Sequence, residues 1–134
     1  MMEIAPRVVH RNKNVYKVYG KHIYGELYDC RREYLSDLDF LMNITSEAVR
    51  IGGFTLLDIK GWKIEPGVSV VAIILESHVA IHTWPEYSFV TLDVYTCGYK
   101  GDPFKTYRYI VDKLEAKKFT IKISDRSLVM GQSE

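Results

Sequence analysis

The run Leu75-Glu76-Ser77-His78-Val79-Ala80-Ile81-His82-Thr83-Trp84-Pro85-Glu86 gathers a serine hydroxyl, imidazoles and carboxylates directly after an apolar stretch. The Ser77 hydroxyl can attack the carbonyl of the preceding residue, Glu76, and turn that amide into an ester by an N-to-O acyl shift. A base can then take the α-proton of Ser77 and expel the Glu76 carboxylate. The dehydroalanine left behind hydrolyses to a pyruvoyl group. This route needs a hydroxyl, a nearby imidazole of near-neutral pKa and a donor that polarises the carbonyl. A strained turn at the end of a rigid strand suits it. Composition and spacing alone favour a serine that only satisfies its own hydrogen bonds.

Other chemistries fit the run less well. His78 and His82 have the spacing of a zinc pair on a helix, but the flanking residues favour a strand. On a strand, positions four apart lie ~13 Å from each other, too far to share one ion, so no metal site is expected. Ser77 lacks the flanking glycines of a nucleophile elbow, and the chain has no glycine-rich phosphate loop.

The run ESHVAIHTWPE and the TLDVYTCG that follows closely resemble the short, prokaryotic type of self-processing S-adenosylmethionine decarboxylase proenzyme. The likeness extends upstream through GVSVV and YGKHIYGELYDC, and downstream through DPFKTYRYIVDKL, from Tyr19 to Lys118. The resemblance implies that Ser77 is the cleavage serine and the source of a pyruvoyl cofactor. It implies His82 as the processing base, Ser69 as its helper, and Cys97 as the acid that protonates the substrate carbon after carbon dioxide leaves. Glu76 becomes the new C-terminus, so the single domain 1–134 divides into chains 1–76 and 77–134. The pyruvoyl ketone of this family forms a Schiff base with the α-amine of a small amino-acid substrate and accepts the electrons of decarboxylation, as pyridoxal phosphate does. Processed protomers of the family commonly assemble as dimers.

Short-type members also carry a phenylalanine just before the GVS turn, which stacks on the substrate adenine. An ungapped reading from Ser77 puts Lys63 at that position, within GWKIEPGVS. A lysine is a poor substitute for a flat apolar wall, and its charge opposes a sulfonium. One branch of the family decarboxylates arginine to agmatine, and the WKI segment and long N-terminal arm look more like that branch. The expected substrate is therefore L-arginine, with S-adenosylmethionine as the alternative. A guanidinium needs acidic partners, for which Glu65 and Asp58 are the candidates beside Lys63. A different class of reading is a non-catalytic paralogue that assembles with an active subunit.

The elements that must hold these groups follow from periodicity. Val15 to Tyr28 reads as a strand. From Arg32 to Ile51, Leu35, Leu38, Leu41, Thr45 and Ala48 mark one helix face, which Gly52-Gly53 ends. Phe54 to Ile64 reads as a strand with a bulge at Gly61, and Pro66-Gly67 as a turn. Val68 to Leu75 reads as a buried strand. Tyr87 to Tyr95 reads as a strand that turns Phe89, Thr91, Asp93 and Tyr95 to one side and Val90, Leu92 and Val94 to the other. Pro103 opens a second helix with Phe104, Tyr107, Val111 and Leu114 on its buried stripe. Phe119, Ile121 and Ile123 alternate in a last strand, and the tail from Ser124 reads as frayed. Two helices can cover one face of so many strands. The expectation is an α+β two-layer sandwich with a largely antiparallel sheet, its other face covered by a second copy of the chain.

Composition sets the outer limits. The chain has 134 residues, 47% of them hydrophobic, enough for one sizeable core. Eighteen Lys and Arg against 17 Asp and Glu leave a net charge of +1, which gives no reason to expect a nucleic-acid or membrane partner. Arg7, Arg11, Lys13 and Lys17 read as a solvated N-terminal arm, and residues 1–14 as a loose segment. There is no apolar stretch of ~20 residues and no secretion-signal core. Cys30 and Cys97 are too few for a disulfide scaffold, which points to free thiols in the cytoplasm, with Cys30 structural.

Overall fold

The computed structural model of the chain describes residues 16–130. The reading of 1–14 as a loose arm lies outside them. Among the described residues, nine strands and three α-helices run in the order β1 (Tyr16–Val18), β2 (Gly20–Tyr28), α1 (Arg32–Leu35), α2 (Leu38–Ile51), β3 (Leu56–Ile64), β4 (Gly67–Ile74), β5 (Ser77–Trp84), β6 (Phe89–Cys97), α3 (Pro103–Lys113), β7 (Lys118–Phe119), β8 (Lys122–Asp125) and β9 (Leu128–Val129). The main sheet is antiparallel with the order β3-β4-β5-β6-β2-β7, and β8 pairs with β2 beside β7. A separate two-stranded ribbon joins β1 to β9. The α+β sandwich read from the sequence is the fold observed. Among the described residues, no helix is long and apolar enough to cross a membrane.

Strict alternation builds the sheet's two faces. On β6, Val90, Leu92 and Val94 are fully buried, while Phe89, Thr91, Asp93 and Tyr95 on the opposite face are only partly covered. The same parity sends Val68, Val70 and Ala72 of β4 and Val79 and Ile81 of β5 under the helices. There they meet Leu41, Ala48 and Val49 of α2 and Tyr107, Ile110 and Val111 of α3 in one continuous core. Each Val, Leu or Ile among them contributes about 1.5–3 kcal/mol by leaving water. Thr106 of α3 donates from its hydroxyl to the Ala48 carbonyl (2.9 Å), which ties the two long helices together. The sheet face away from the helices is open and apolar in part. Trp62, Ile64, Ile73 and Trp84 stand on it at 63%, 61%, 47% and 38% exposure.

Several details differ from the sequence reading: the strand read over Val15 to Tyr28 divides at Tyr19 between two sheets, and the last strand divides into β7 and β8. The helix expected from Arg32 to Ile51 is broken at Ser36-Asp37, because the Asp37 carboxylate accepts from the Phe40 N–H (3.0 Å) and starts α2 anew. The irregularity in β3 lies between Leu56 and Asp58, not at Gly61. Gly61 is small for another reason: a Cβ there would sit 2.6 Å from Leu38 and 2.7 Å from Met42. Phe104 is exposed, and Ile110 takes its place on the buried stripe of α3. The tail is not frayed at Ser124: Ser124 and Asp125 pair with β2, and Leu128 and Val129 pair with β1.

Candidate active site

Ile74 and Ser77 face each other across the β4–β5 hairpin, so Leu75 and Glu76 form its tip. The tip is held from both sides. Leu75 donates its N–H to the Thr55 carbonyl (2.9 Å), and the Thr55 N–H donates to the Glu76 carboxylate (3.2 Å). That carboxylate is buried, with Lys100 Nζ 3.8 Å away. Ser77 therefore enters β5 with φ at +148°, a region that a residue with a Cβ rarely adopts.

Across the adjacent strand, Cys97 closes on this bond. Its backbone N–H donates to the Glu76 carbonyl at 2.7 Å and its thiol reaches the same oxygen at 3.1 Å. The Ser77 Oγ stands 3.1 Å from Cys97 Sγ. The Glu76–Ser77 amide thus has a hydroxyl beside it, a donor pair on its carbonyl oxygen and strain in its backbone. When a hydroxyl adds to such a carbonyl, negative charge collects on the oxygen at which both Cys97 donors aim.

A second pair forms at the other end of β5. Ser69 of β4 and His82 of β5 are cross-strand partners on the open face, and Ser69 Oγ lies 2.7 Å from His82 Nδ1. The structure brings Ser77 to Cys97 and Ser69 to His82, but it does not bring the two pairs together. His82 is five residues along β5 from Ser77, ~16 Å of extended chain.

The two ends of the sheet carry different clefts. Tyr16–Tyr19, Leu75, Glu76 and Cys97–Tyr99 line a cleft of about 510 Å³ beside the Glu76–Ser77 bond. Glu65, Ser69, His82, Trp84 and Glu86 help line one of about 300 Å³ at the opposite end. Lys63, read from the sequence as standing where an adenine would stack, faces the helix side, as Ile59 and Gly61 do, and lies 3.5 Å from Glu65. Its neighbour Trp62 has the opposite parity. It pairs in register with Ser69 and presents its indole on the open face. The flat aromatic that Lys63 lacks is therefore present one residue earlier. Asp58 sits at the far end of β3, opposite Ile73.

Residues with no expected catalytic role also meet on the open face. His78 lies in one cross-strand row with Tyr95 and His22, and His22 Nε2 is 2.8 Å from Asp93 Oδ1. Burial holds the His78 pKa below its ordinary value, helped by His22 and Arg126 and opposed by Asp93. Only the strand register reveals this cluster, since its members are far apart in the chain. Cys30 and Cys97 are both free thiols. Burial, then Asp29, pushes the Cys30 thiol up to about 12, which leaves it an inert core group.

The S-adenosylmethionine decarboxylase family model matches residues 21–127. An S-adenosylmethionine decarboxylase proenzyme of Sulfurisphaera tokodaii is 58% identical over 111 residues, 83% of this chain and 91% of that one. An arginine decarboxylase proenzyme of Hyperthermus butylicus is 47% identical over 120 residues, 87% of this chain and 84% of that one. The crystal structure of the adenosylmethionine decarboxylase from Aquifex aeolicus superposes with a TM-score of 0.80 at 28% identity, covering 88% of this chain and 98% of that one.

Proposed function

The chain belongs to the S-adenosylmethionine decarboxylase family, and from that premise we propose that it cuts itself between Glu76 and Ser77 to become a pyruvoyl-dependent decarboxylase. The observation that carries the reading is the grip of Cys97 on the Glu76 carbonyl beside the Ser77 hydroxyl. Ser77 Oγ attacks that carbonyl, the C–N bond breaks, and an ester links Glu76 to the Ser77 side chain. An imidazole takes the Ser77 α-proton, and the electron pair left behind expels the Glu76 carboxylate as the new C-terminus. The resulting enamine tautomerises, water replaces its nitrogen, and ammonia leaves. The pyruvoyl group so made supplies a ketone that takes up the electrons released when an α-amino acid loses carbon dioxide. Cys97 then has a second task, to deliver a proton from Sγ to the substrate carbon.

The imidazole for the processing step is His82, and its distance from Ser77 supports a second copy of the chain as the partner. A two-fold axis through the middle of β5 lays the Ser69–His82 pair of one protomer over the Ser77–Cys97 pair of its partner. Two sheets packed face to face stand ~10 Å apart, close enough for their side chains to interdigitate. The same contact covers Trp62, Ile64, Ile73 and Trp84.

For the substrate, S-adenosylmethionine is the reading favoured here over the arginine expected from Lys63. That expectation rested on a missing aromatic wall, and Trp62 fills the role on the face that carries Ser69 and His82. The relative from Sulfurisphaera tokodaii, at the higher identity, bears the corresponding name. Arginine stays as the second reading because two carboxylates, Glu65 and Glu86, line the cleft beside His82 and suit a guanidinium. Intact-mass spectra of purified protein are expected to give residues 1–76 and a blocked 77–134, and Ser77→Ala a single unbroken chain. Cleavage in Ser77→Ala would overturn the mechanism. Release of labelled carbon dioxide from carboxyl-labelled S-adenosylmethionine, and not from arginine, is the expected outcome; the reverse would replace the first reading with the second.

A further inference from the structure

The ribbon of β1 and β9 flanks the stretch that the family model matches. Both strands lie outside residues 21–127, one on each side. The ribbon is not a core element, since Val18, Leu128 and Val129 are 41%, 49% and 39% exposed. It is nevertheless fixed to the main sheet at three points. Arg126 donates its N–H to the Gly20 carbonyl (2.9 Å), Gly20 donates to Ser127 Oγ (3.0 Å), and Gly98 donates to the Tyr19 carbonyl (2.7 Å). The crossing is close enough that a Cβ on Gly20 would sit 2.7 Å from the Arg126 oxygen.

What the ribbon delivers is a set of rings. Tyr19 stacks on Tyr99 with centroids 4.6 Å apart and planes 9° from parallel, and Tyr16 meets Tyr19 edge-on at 5.4 Å. All three rings line the 510 Å³ cleft that ends at Glu76 and Cys97. We propose that the β1–β9 ribbon is a substrate-selecting wall: β9 positions β1, and β1 sets Tyr16 and Tyr19 against Tyr99 to receive a flat or cationic amino-acid side chain. Ring faces attract both flat π-systems and cations. The inference rests on the reading above that the substrate reacts at Ser77. The ribbon acts on decarboxylation alone, because the groups that hold the Glu76 carbonyl for cleavage come from Cys97.

Two kinds of variant test this. Leu128→Pro disturbs β9 at an exposed residue that touches no reacting group; in this case Leu128 is a positioning residue. Tyr19→Leu removes a ring, and Tyr19→Phe restores its face. Cleavage is read by intact mass before any substrate is added, and kcat and KM are then measured on the cut enzyme. The expected result is normal cleavage throughout, kcat near wild type, and KM raised roughly three- to ten-fold in Leu128→Pro and Tyr19→Leu but not in Tyr19→Phe. An unchanged KM in Tyr19→Leu, or a fall in kcat with KM unchanged in either variant, overturns the proposal. A wild-type chain that stays whole overturns the underlying reading instead, and is distinguished because it shows before substrate enters.

Discussion

Mixing two inactive variants gives the sharpest test of a site shared between protomers. Ser77→Ala removes the attacking hydroxyl, and His82→Ala removes the imidazole. A general base must come within about 2.6–3.2 Å of its proton or act through one water, whereas His82 and Ser77 of one chain are separated by ~16 Å of β5. In a two-fold dimer, a His82→Ala chain keeps its own Ser77 and Cys97, and a Ser77→Ala partner offers it an intact Ser69 and His82. Alone, His82→Ala is expected to cleave about 10²–10⁴-fold more slowly than wild type, and Ser77→Ala not at all. Co-expressed in equal amounts and paired at random, about half of the His82→Ala chains acquire a Ser77→Ala partner. About half of that chain is therefore expected to split at Glu76–Ser77, while the Ser77→Ala chain stays whole. The two are separated by mass on a denaturing gel or spectrometer. A mixture in which neither chain is cut, or a His82→Ala chain that cuts itself at the normal rate alone, refutes the argument.

Three further outcomes follow from the geometry. Cys97→Ala keeps its backbone N–H on the Glu76 carbonyl, so it is expected to cleave but to lose about 10²–10⁴-fold in turnover; a cleaved Cys97→Ala enzyme with wild-type kcat would remove the thiol from the reaction. Native protein treated with iodoacetamide near neutral pH is expected to be alkylated at the partly exposed Cys97 and spared at Cys30, which is 4% exposed with its thiol near 12; peptide mapping reads this, and early labelling of Cys30 would contradict it. His78 has a folded pKa below its unfolded 6.5, so the native state binds fewer protons there and stability falls as pH drops below about 6.5. Denaturant melts at stepped pH are expected to show a smaller acid loss in His78→Gln than in wild type, and equal losses would exclude His78 as a source.

Most of the fold could be read from the chain because its cues are local. The alternation of Phe89 to Tyr95 is a property of neighbours, and burial on β6 follows it residue by residue. The break at Asp37 was missed because apolar spacing continues across it, from Leu35 to Leu38, and only the side-chain cap on Phe40 marks the restart. Ser69, Ser77, His82 and Cys97 stood out by type and motif, yet the contact between Ser77 and Cys97 did not. Cys97 meets Ser77 because β6 lies beside β5, a fact of sheet order that no spacing encodes. On a strand, a single residue decides which face a side chain takes: Lys63 faces the helix side and Trp62 the open one, which only the register with β4 reveals. The pairing of β1 with β9 joins opposite ends of the chain and leaves no local mark.

A cut at Glu76–Ser77 would not leave two neighbouring pieces. Strand β2, from the first fragment, lies between β6 and the β7–β8 edge of the second, while β4 of the first lies along β5 of the second. The fragments are woven through one another. Separating them means unzipping β2 on both flanks as well as β4 from β5, so the peptide bond is dispensable to the folded state once that state exists. It is not dispensable to reaching that state. The uncut precursor folds as one molecule, whereas cut fragments that have melted apart must find each other again in solution. Refolding then depends on concentration, as in any obligate complex. Scission would therefore act as a ratchet: it would turn a chain that can unfold and return into one whose return becomes an encounter between strangers.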